Sequence, residues 1–292
     1  MNYADRALDF LEAQAAWCYL PGTAPASEPA AFAALALAAY GRAEAAARAH
    51  AQLRDAQVAD GSIPVRQGDA SPGWPTSLAV LAWNLPNAAP APFAEASCRA
   101  VDWLMSIAGE TSAQTEYTGH DTTIRGWPWV VGTHSWIEPT AMSVLALKTV
   151  GLANHPRARE GVRLLEDRLL PAGGCNYGNT IVLGQALLPH IEPTGAALLA
   201  LAGEPDRTGK VRESLAYLAA TLAADTASAS LAYGLLGLAA FDRVPASADA
   251  WIAAAMARSV RRGSSLEVAL LALAALKADA PLISPSVEQA TL

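Results

Sequence analysis

Two copies of one tetrapeptide, each opening a segment that carries almost no charge, constrain this chain more than any other feature. Ile137-Glu138-Pro139-Thr140 leads into Ala141 to Leu147, and Ile191-Glu192-Pro193-Thr194 leads into Gly195 to Leu201. Weaker copies start at Glu28-Pro29, running through Ala30 to Tyr40, and at Trp74-Pro75-Thr76, running through Ser77 to Trp83. Ser230 to Phe241 and Ser265 to Leu276 complete a set of six without the proline. Internal self-similarity of this kind is the mark of a repeat architecture. Neither Pro193 to Gly203 nor Ala229 to Phe241 contains a charged residue, and a helix apolar on all sides must be buried on all sides. Proline suits the first helical position, where its missing N–H has no partner to lose.

A second, amphipathic segment precedes each apolar one: Tyr3 to Tyr19, Arg42 to Gln57, Ala94 to Ile107, Pro156 to Leu170, Arg207 to Ala224 and Ala246 to Arg262. In the fourth, Val162, Leu165 and Leu169 form a stripe while Arg159, Arg163, Glu166 and Asp167 take the opposite face, which is the helical period with one wet side. Six buried helices alternating with six half-wet ones are satisfied by two concentric layers. The expectation is therefore an all-α fold, an (α/α)6 toroid of six outer–inner hairpins over residues 1–292 as one domain. An open solenoid of helix pairs is the rival, but it would leave a long apolar face in water.

Composition narrows the function classes. Hydrophobic residues are 52% of the 292 and charged ones 16%, which supplies a large core and excludes disorder. The net charge of −7, with no dense basic patch, argues against nucleic acid as partner. The charged N-terminus from Asp5 to Glu12 does not read as a signal peptide, and no apolar run is long enough for a transmembrane segment, so a cytoplasmic protein is expected. Cys18, Cys98 and Cys175 make no disulfide framework. Oligomeric state cannot be read from the sequence.

The connections locate the chemistry. Links from an apolar helix to the next amphipathic one are short, whereas Val58 to Trp74, Ala108 to Glu138 and Pro171 to Glu192 are long. All three join an outer C-terminus to an inner N-terminus, so they belong to one end of the ring, and long connections in a compact domain are commonly functional. They collect Trp74, Trp127, Trp129, Trp136, His120, Asp121, Arg125, His134, Cys175, Asn176, Tyr177 and His190. Glu28, Glu138 and Glu192 precede prolines at equivalent positions; each either stabilises a helix N-terminus or holds a proton at the mouth. His120-Asp121 is either an acid–base pair or a loop hydrogen bond, and the tryptophans either plug the ring or stabilise a cation. His134, His190 and Cys175 have no metal-site spacing, and no metal or cofactor is expected.

Three stretches resemble the prenyltransferase and squalene-cyclase repeat superfamily, whose fold is an α/α toroid. Leu53-x-x-x-Gln57-x-x-x-Gly61-Ser62-Ile63 is similar to the Gln–Trp repeat of squalene–hopene cyclases, with Ile63 in the tryptophan's place. Gly173-Gly174-Cys175-Asn176-Tyr177-Gly178-Asn179 resembles a second variant, with Cys175 in that place, and the helices led by Pro139 and Pro193 resemble those of prenyltransferase β subunits. The Asp-x-Asp-Asp acid and the Asp-x-Cys zinc pair of those enzymes are absent, and the apolar helices carry Ala and Leu rather than aromatics. The resemblance implies a central apolar cavity binding an isoprenoid-like small molecule with an anionic head. Acid–base chemistry there would fall to Asp121, Glu138, Glu192, His120 and His134. Trp74, Arg125, Trp127, Trp129, Trp136, Asn176, Tyr177 and His190 would hold the substrate, Arg125 facing the head. A non-catalytic lipid- or peptide-binding scaffold on the same rim is the alternative, and a sugar lyase or hydrolase using Tyr177 and His134 is a third reading.

Overall fold

The computed structural model describes residues 3–69, 71, 73–85, 91–115 and 117–283, so that Ala70 and Pro72 of the second long connection lie outside it. Among the described residues, twelve α-helices alternate between two layers. The outer ones are α1 (Tyr3–Glu12), α3 (Ala43–Ala56), α5 (Ala91–Ser106), α7 (Pro156–Arg168), α9 (Lys210–Thr221) and α11 (Ala248–Arg262). The inner ones are α2 (Ser27–Ala39), α4 (Thr76–Asn84), α6 (Ile137–Thr149), α8 (Ile191–Leu201), α10 (Ser228–Ala239) and α12 (Ser265–Ala275). Each inner helix packs against the next in the order α2, α4, α6, α8, α10, α12, and α12 packs back on α2, which closes the barrel. The all-α toroid expected from the repeat is the fold.

Every residue from Ser27 to Leu37 in α2 and from Ile137 to Leu147 in α6 is buried, which is why these segments tolerate no solvated face. Small side chains set the spacing. A Cβ on Gly195 in α8 would collide with the backbone carbonyl of Tyr233 in α10, and one on Gly237 would meet Gly195 in turn. The barrel axis is filled rather than hollow. Residues Ala30 to Leu37 are wholly inaccessible, so no water-sized void borders α2, and Phe32 meets Tyr233 edge-on at 6.1 Å between ring centroids. The central apolar cavity implied by the family resemblance is occupied by the protein's own side chains.

Two local expectations need correction. The proline of each tetrapeptide copy stands at the third helical residue, after Ile137-Glu138 and Ile191-Glu192, where an N–H still has no intrahelical acceptor. The first outer helix ends at Glu12 rather than Tyr19. Beyond it Trp17 turns into the wall, its N–H donating to Gln52 Oε1 at 3.1 Å and its carbonyl accepting from Ala26 at 3.0 Å. Residues 13–26 are thus a further outer-to-inner connection.

These connections are stitched to the inner helices by a repeated device. The hydroxyls of Thr76, Thr140 and Thr194 accept the backbone N–H of Ile63, Trp127 and Cys175 at 2.8, 2.9 and 2.9 Å. Each connection also caps its neighbour, for Ser27 N–H donates to Val65 O and Ile137 N–H to Tyr177 O, both at 2.8 Å. The long connections therefore interlock around the N-terminal end of the barrel. The fourth adds a two-stranded hairpin, β1 (Ile181–Val182) and β2 (Gln185–Ala186), closed by Leu183 and Gly184 at φ 50° and 74°. Positive φ at both central residues is the twist a two-residue hairpin needs. No helix among the described residues is long and apolar enough to cross a membrane.

Candidate functional site

The two ends of the barrel differ in charge. At the inner C-terminal end Lys148 reaches Ala200 O at 2.8 Å and pairs with Glu204 at 2.8 Å, and Arg159 binds the same carboxylate. Cations there meet the carbonyls that a helix C-terminus leaves unpaired. At the other end stand three acids. Glu28, Glu138 and Glu192 each occupy the second residue of their helix, and because α2, α6 and α8 lie around one barrel their carboxyls converge on its mouth. Glu28 is 9% exposed and Glu138 8%, while Glu192 is half-buried. No Lys or Arg pairs with any of the three among the described residues.

What surrounds the acids is hydroxyl and aromatic. Tyr19 Oη donates to Glu28 Oε2 at 2.7 Å, and Ser230 Oγ donates to Glu192 Oε2 at 3.2 Å. Tyr233, 1% exposed on α10, turns its hydroxyl toward the Glu138 carboxyl, which raises the phenol and is itself pulled down by it. Burial favours the uncharged carboxyl and the neighbouring acids add repulsion. Burial, offset by the Tyr19 hydrogen bond and reinforced by Glu192, pushes Glu28 up to about 7. Glu138 is held well above the ordinary carboxylate range by burial and by both other glutamates. Burial raises Glu192, against the pull of Ser230. Tyr177, at the rim, is raised by burial and by the fields of Glu192 and Glu138. The mouth thus raises the proton affinity of all three carboxyls.

The other residues singled out by the sequence fall into separate places. Tyr177 and His190 stack at 5.0 Å and His134 and Trp136 at 4.8 Å, forming the rim with Gly178 against the Trp136 ring. Trp74 and Trp129 meet edge to face at 4.7 Å where the second and third connections touch. Asn176 braces its own loop, donating to Leu188 O at 2.8 Å and accepting from Tyr177 N–H. Trp127 is not at the mouth. It is 1% exposed in the wall, with Arg157 stacked 3.7 Å from its ring centroid and its indole N–H on Leu104 O. Arg125 faces outward to Glu160 of α7 at 3.1 Å, so it stands away from the acids and cannot orient a head group beside them.

His120 and Asp121 do not act as a pair. Asp121 is half-buried and accepts from both the N–H and the hydroxyl of Thr123, which holds it below its usual range as a turn-former. His120 Nδ1 accepts from Thr180 N–H at 3.4 Å, and burial together with Arg168 lowers the ring to about 4, so it is neutral at pH 7. With His134, Tyr117, Arg168 and Ile181 it lines a cleft of about 720 Å³ between the third and fourth connections. Glu28, Glu138 and Glu192 do not line that cleft. The chemistry favours the mouth, where three uncompensated carboxyls meet.

Sequence reasoning missed Tyr19, Tyr233 and Ser230. A tyrosine inside the uncharged segment Ala229 to Phe241 was the available signal, since a buried phenol ordinarily needs a partner. Ile63, Trp127 and Cys175 also prove equivalent by their threonine bonds, which makes Gly126-Trp127 a further copy of the motif read at Gly61-Ser62-Ile63 and Gly174-Cys175.

No family model matches the chain, and no curated protein sequence matches it. Solved structures share the architecture. A protein from Actinoplanes is 18% identical, with a TM-score of 0.57 over 89% of this chain and 79% of that one. A tyrosine-to-glycine mutant of Salmonella α2-macroglobulin is 15% identical, with a TM-score of 0.54 over 94% of this chain and 17% of that one. The methylamine-reacted form of the same protein gives 16% and 0.53 over 95% and 17%. At such identities the likeness is one of fold, and the chain spans only a small part of the macroglobulin's length.

Proposed function

We propose that this chain is a small-molecule-binding α/α toroid that exchanges a proton with its ligand at the barrel mouth, with Glu138 as the proton-carrying group. The observation that carries the reading is the placement of Glu28, Glu138 and Glu192 from three repeats at one end of the barrel, the first two buried, the third half-buried and none paired with a cation. Carboxyls held near or above neutrality can act as general acid in one step and base in the next. Glu28 and Glu192 set the proton affinity of Glu138 by their fields, and Tyr19 and Ser230 fix their orientation. Trp136, Tyr177 and His190 supply an apolar rim, in keeping with the ligand sites usual for such concavities.

The same arrangement speaks against the alkene protonation of terpenoid cyclases. That step calls for an unusually strong acid, whereas burial and mutual repulsion make these carboxyls weak ones. A ligand screen by NMR tests the proposal: binders should perturb Tyr19, Tyr177 and Tyr233 resonances, and their affinity should fall in Glu138→Gln. Binders that map only to the cleft around His120 and His134 would contradict it.

A second reading has its own observation. The exposed large hydrophobics Leu20, Tyr117, Val130, Val131, Tyr177, Val182, Leu183 and Leu188 all lie in outer-to-inner connections, hence at one end of the barrel. Grouped apolar side chains of this kind favour a binding surface for a partner peptide, without catalysis.

A further inference from the structure

We propose that the cleft between the third and fourth connections is a second ligand site, and that it takes a small monocarboxylate with an apolar body. The cleft has a volume of about 720 Å³, in the range usual for small organic ligands. None of the three mouth glutamates lines it, so the inference is independent of the mouth.

The first support is the guanidinium in the cleft wall. Arg168, the last residue of α7, is 5% exposed and lines the cleft. Among the described residues its hydrogen bonds all leave from Nη1, to Asp121 O at 3.2 Å and Asp167 Oδ2 at 2.8 Å. Nε is buried without a partner, and Nη2 makes no hydrogen bond among the same residues. Nε–H and the adjacent Nη2–H form one edge of the guanidinium, a pair of parallel donors spaced to meet the two oxygens of a carboxylate. A buried donor left open is uncommon in a folded chain, and here the whole fork is open.

The second support is His120 in the same wall. Thr180 N–H donates to Nδ1 at 3.4 Å, which places the proton of the neutral ring on Nε2. That Nε2–H has no partner among the described residues, and the charge of Arg168 acts on the ring. Two open donors, one of them cationic, thus line one concavity.

The rest of the lining decides the class of ligand. Ile181, Val182 and the 93% exposed Leu183 of the β1–β2 hairpin give an apolar wall. Thr118, Thr122 and Thr133 donate their hydroxyls to loop carbonyls at 2.7, 2.8 and 2.7 Å, so the lining is not built to grip a polyol. Glu110 also lines the cleft and Asp167 shares Arg168, which admits one negative charge better than the two of a phosphate monoester. A few converging donors beside apolar surface suit a carboxylate on an apolar body.

Histidine side-chain NMR of the full chain tests this with n-hexanoate, n-hexanol, phenyl phosphate and methyl glucoside at about pH 7, where His120 is neutral. Hexanoate should move the His120 and His134 rings and leave His50 and His155 in place, and the other three probes should bind at least about tenfold more weakly. Arg168→Lys keeps the charge and loses the fork, and should weaken hexanoate at least about tenfold. Val182→Asp, on the exposed hairpin, guards against a folding defect in that variant: it should weaken hexanoate and spare hexanol. Hexanol binding as tightly as hexanoate would overturn the carboxylate, as would tighter binding of phenyl phosphate or the glucoside. Hexanoate that leaves His120 and His134 unmoved, or that binds folded Arg168→Lys and Val182→Asp as it binds the parent chain, would overturn the site. Carboxylates are expected at the cleft whatever binds at the mouth, whose ligands are read at Tyr19, Tyr177 and Tyr233.

Discussion

Tyr19 and Glu28 join across the mouth: the phenol donates to Oε2 at 2.7 Å, from the first connection to the first inner helix. This is a charge-assisted bond when Glu28 is ionised, and it is the main influence holding Glu28 down against burial. Tyr19→Phe removes the donor without removing the ring. Glu28 should then hold its proton to higher pH than about 7, which a carboxyl-detected NMR titration of the variant reads directly. An unchanged or lowered Glu28 would contradict the assignment of that bond.

Stability should fall as pH rises through neutrality. The unfolded glutamate titrates near its usual ~4.3 and the folded Glu28 at about 7, so between these values the native state binds a proton the unfolded state has lost. The contribution is complete below about pH 4.3 and is lost by about pH 7, at roughly 1.4 kcal/mol for each unit of displacement. Glu138 and Glu192 act in the same sense. Asp60, Asp121 and Glu204, held below their usual range, act oppositely and only in acid. Thermal unfolding followed between about pH 5 and pH 8 should show a falling midpoint. A midpoint that climbs over that range would be incompatible with protonated acids at the mouth.

Glu138→Gln should stabilise the chain at neutral and alkaline pH while impairing its function. The amide keeps shape and hydrogen bonding but removes the group that repels Glu28 and Glu192. A midpoint higher by roughly 2–4 °C per kcal/mol recovered is expected above pH 7, together with weaker ligand binding. Loss of stability at pH 8 would mean that Glu138 is ionised and paired.

Gly195→Ala should be costly out of proportion to one methyl group, because the new Cβ meets the Tyr233 carbonyl. A loss of about 1–3 kcal/mol in denaturant unfolding follows from overpacking, and Tyr233 should shift relative to Glu138. A neutral outcome would show that α8 and α10 can separate freely.

Much of the architecture was legible in the sequence because it is carried by periodicity. The tetrapeptide at Ile137 and Ile191 fixes two inner helices, and their uncharged continuations require a second layer to bury them. The convergence of Glu28, Glu138 and Glu192 was also foreseeable in outline, since equivalent places in a closed repeat share one end. Other features escaped because they depend on contacts between distant segments. Trp17 leaves α1 to meet Gln52, a bond 35 residues away that no local pattern announces. Trp127 reads as a rim aromatic by position, yet its bond to Thr140 makes it part of the wall. Tyr233 is an unremarked residue of an apolar helix until the ring closes and turns it toward Glu138. The filled barrel axis followed from side-chain volumes meeting across the ring, as Phe32 and Tyr233 do, which the family resemblance does not encode.

The account stands on the raised proton affinity of three carboxyls at a closed mouth. Titration of glutamate-labelled protein by carboxyl-carbon NMR measures this residue by residue, with Glu→Gln variants for assignment. The resonances of Glu28, Glu138 and Glu192 should all titrate above the ordinary carboxylate range, with Glu28 at about 7 and Glu138 well above that range. All glutamates titrating in the ordinary carboxylate range, independently of one another, would contradict it.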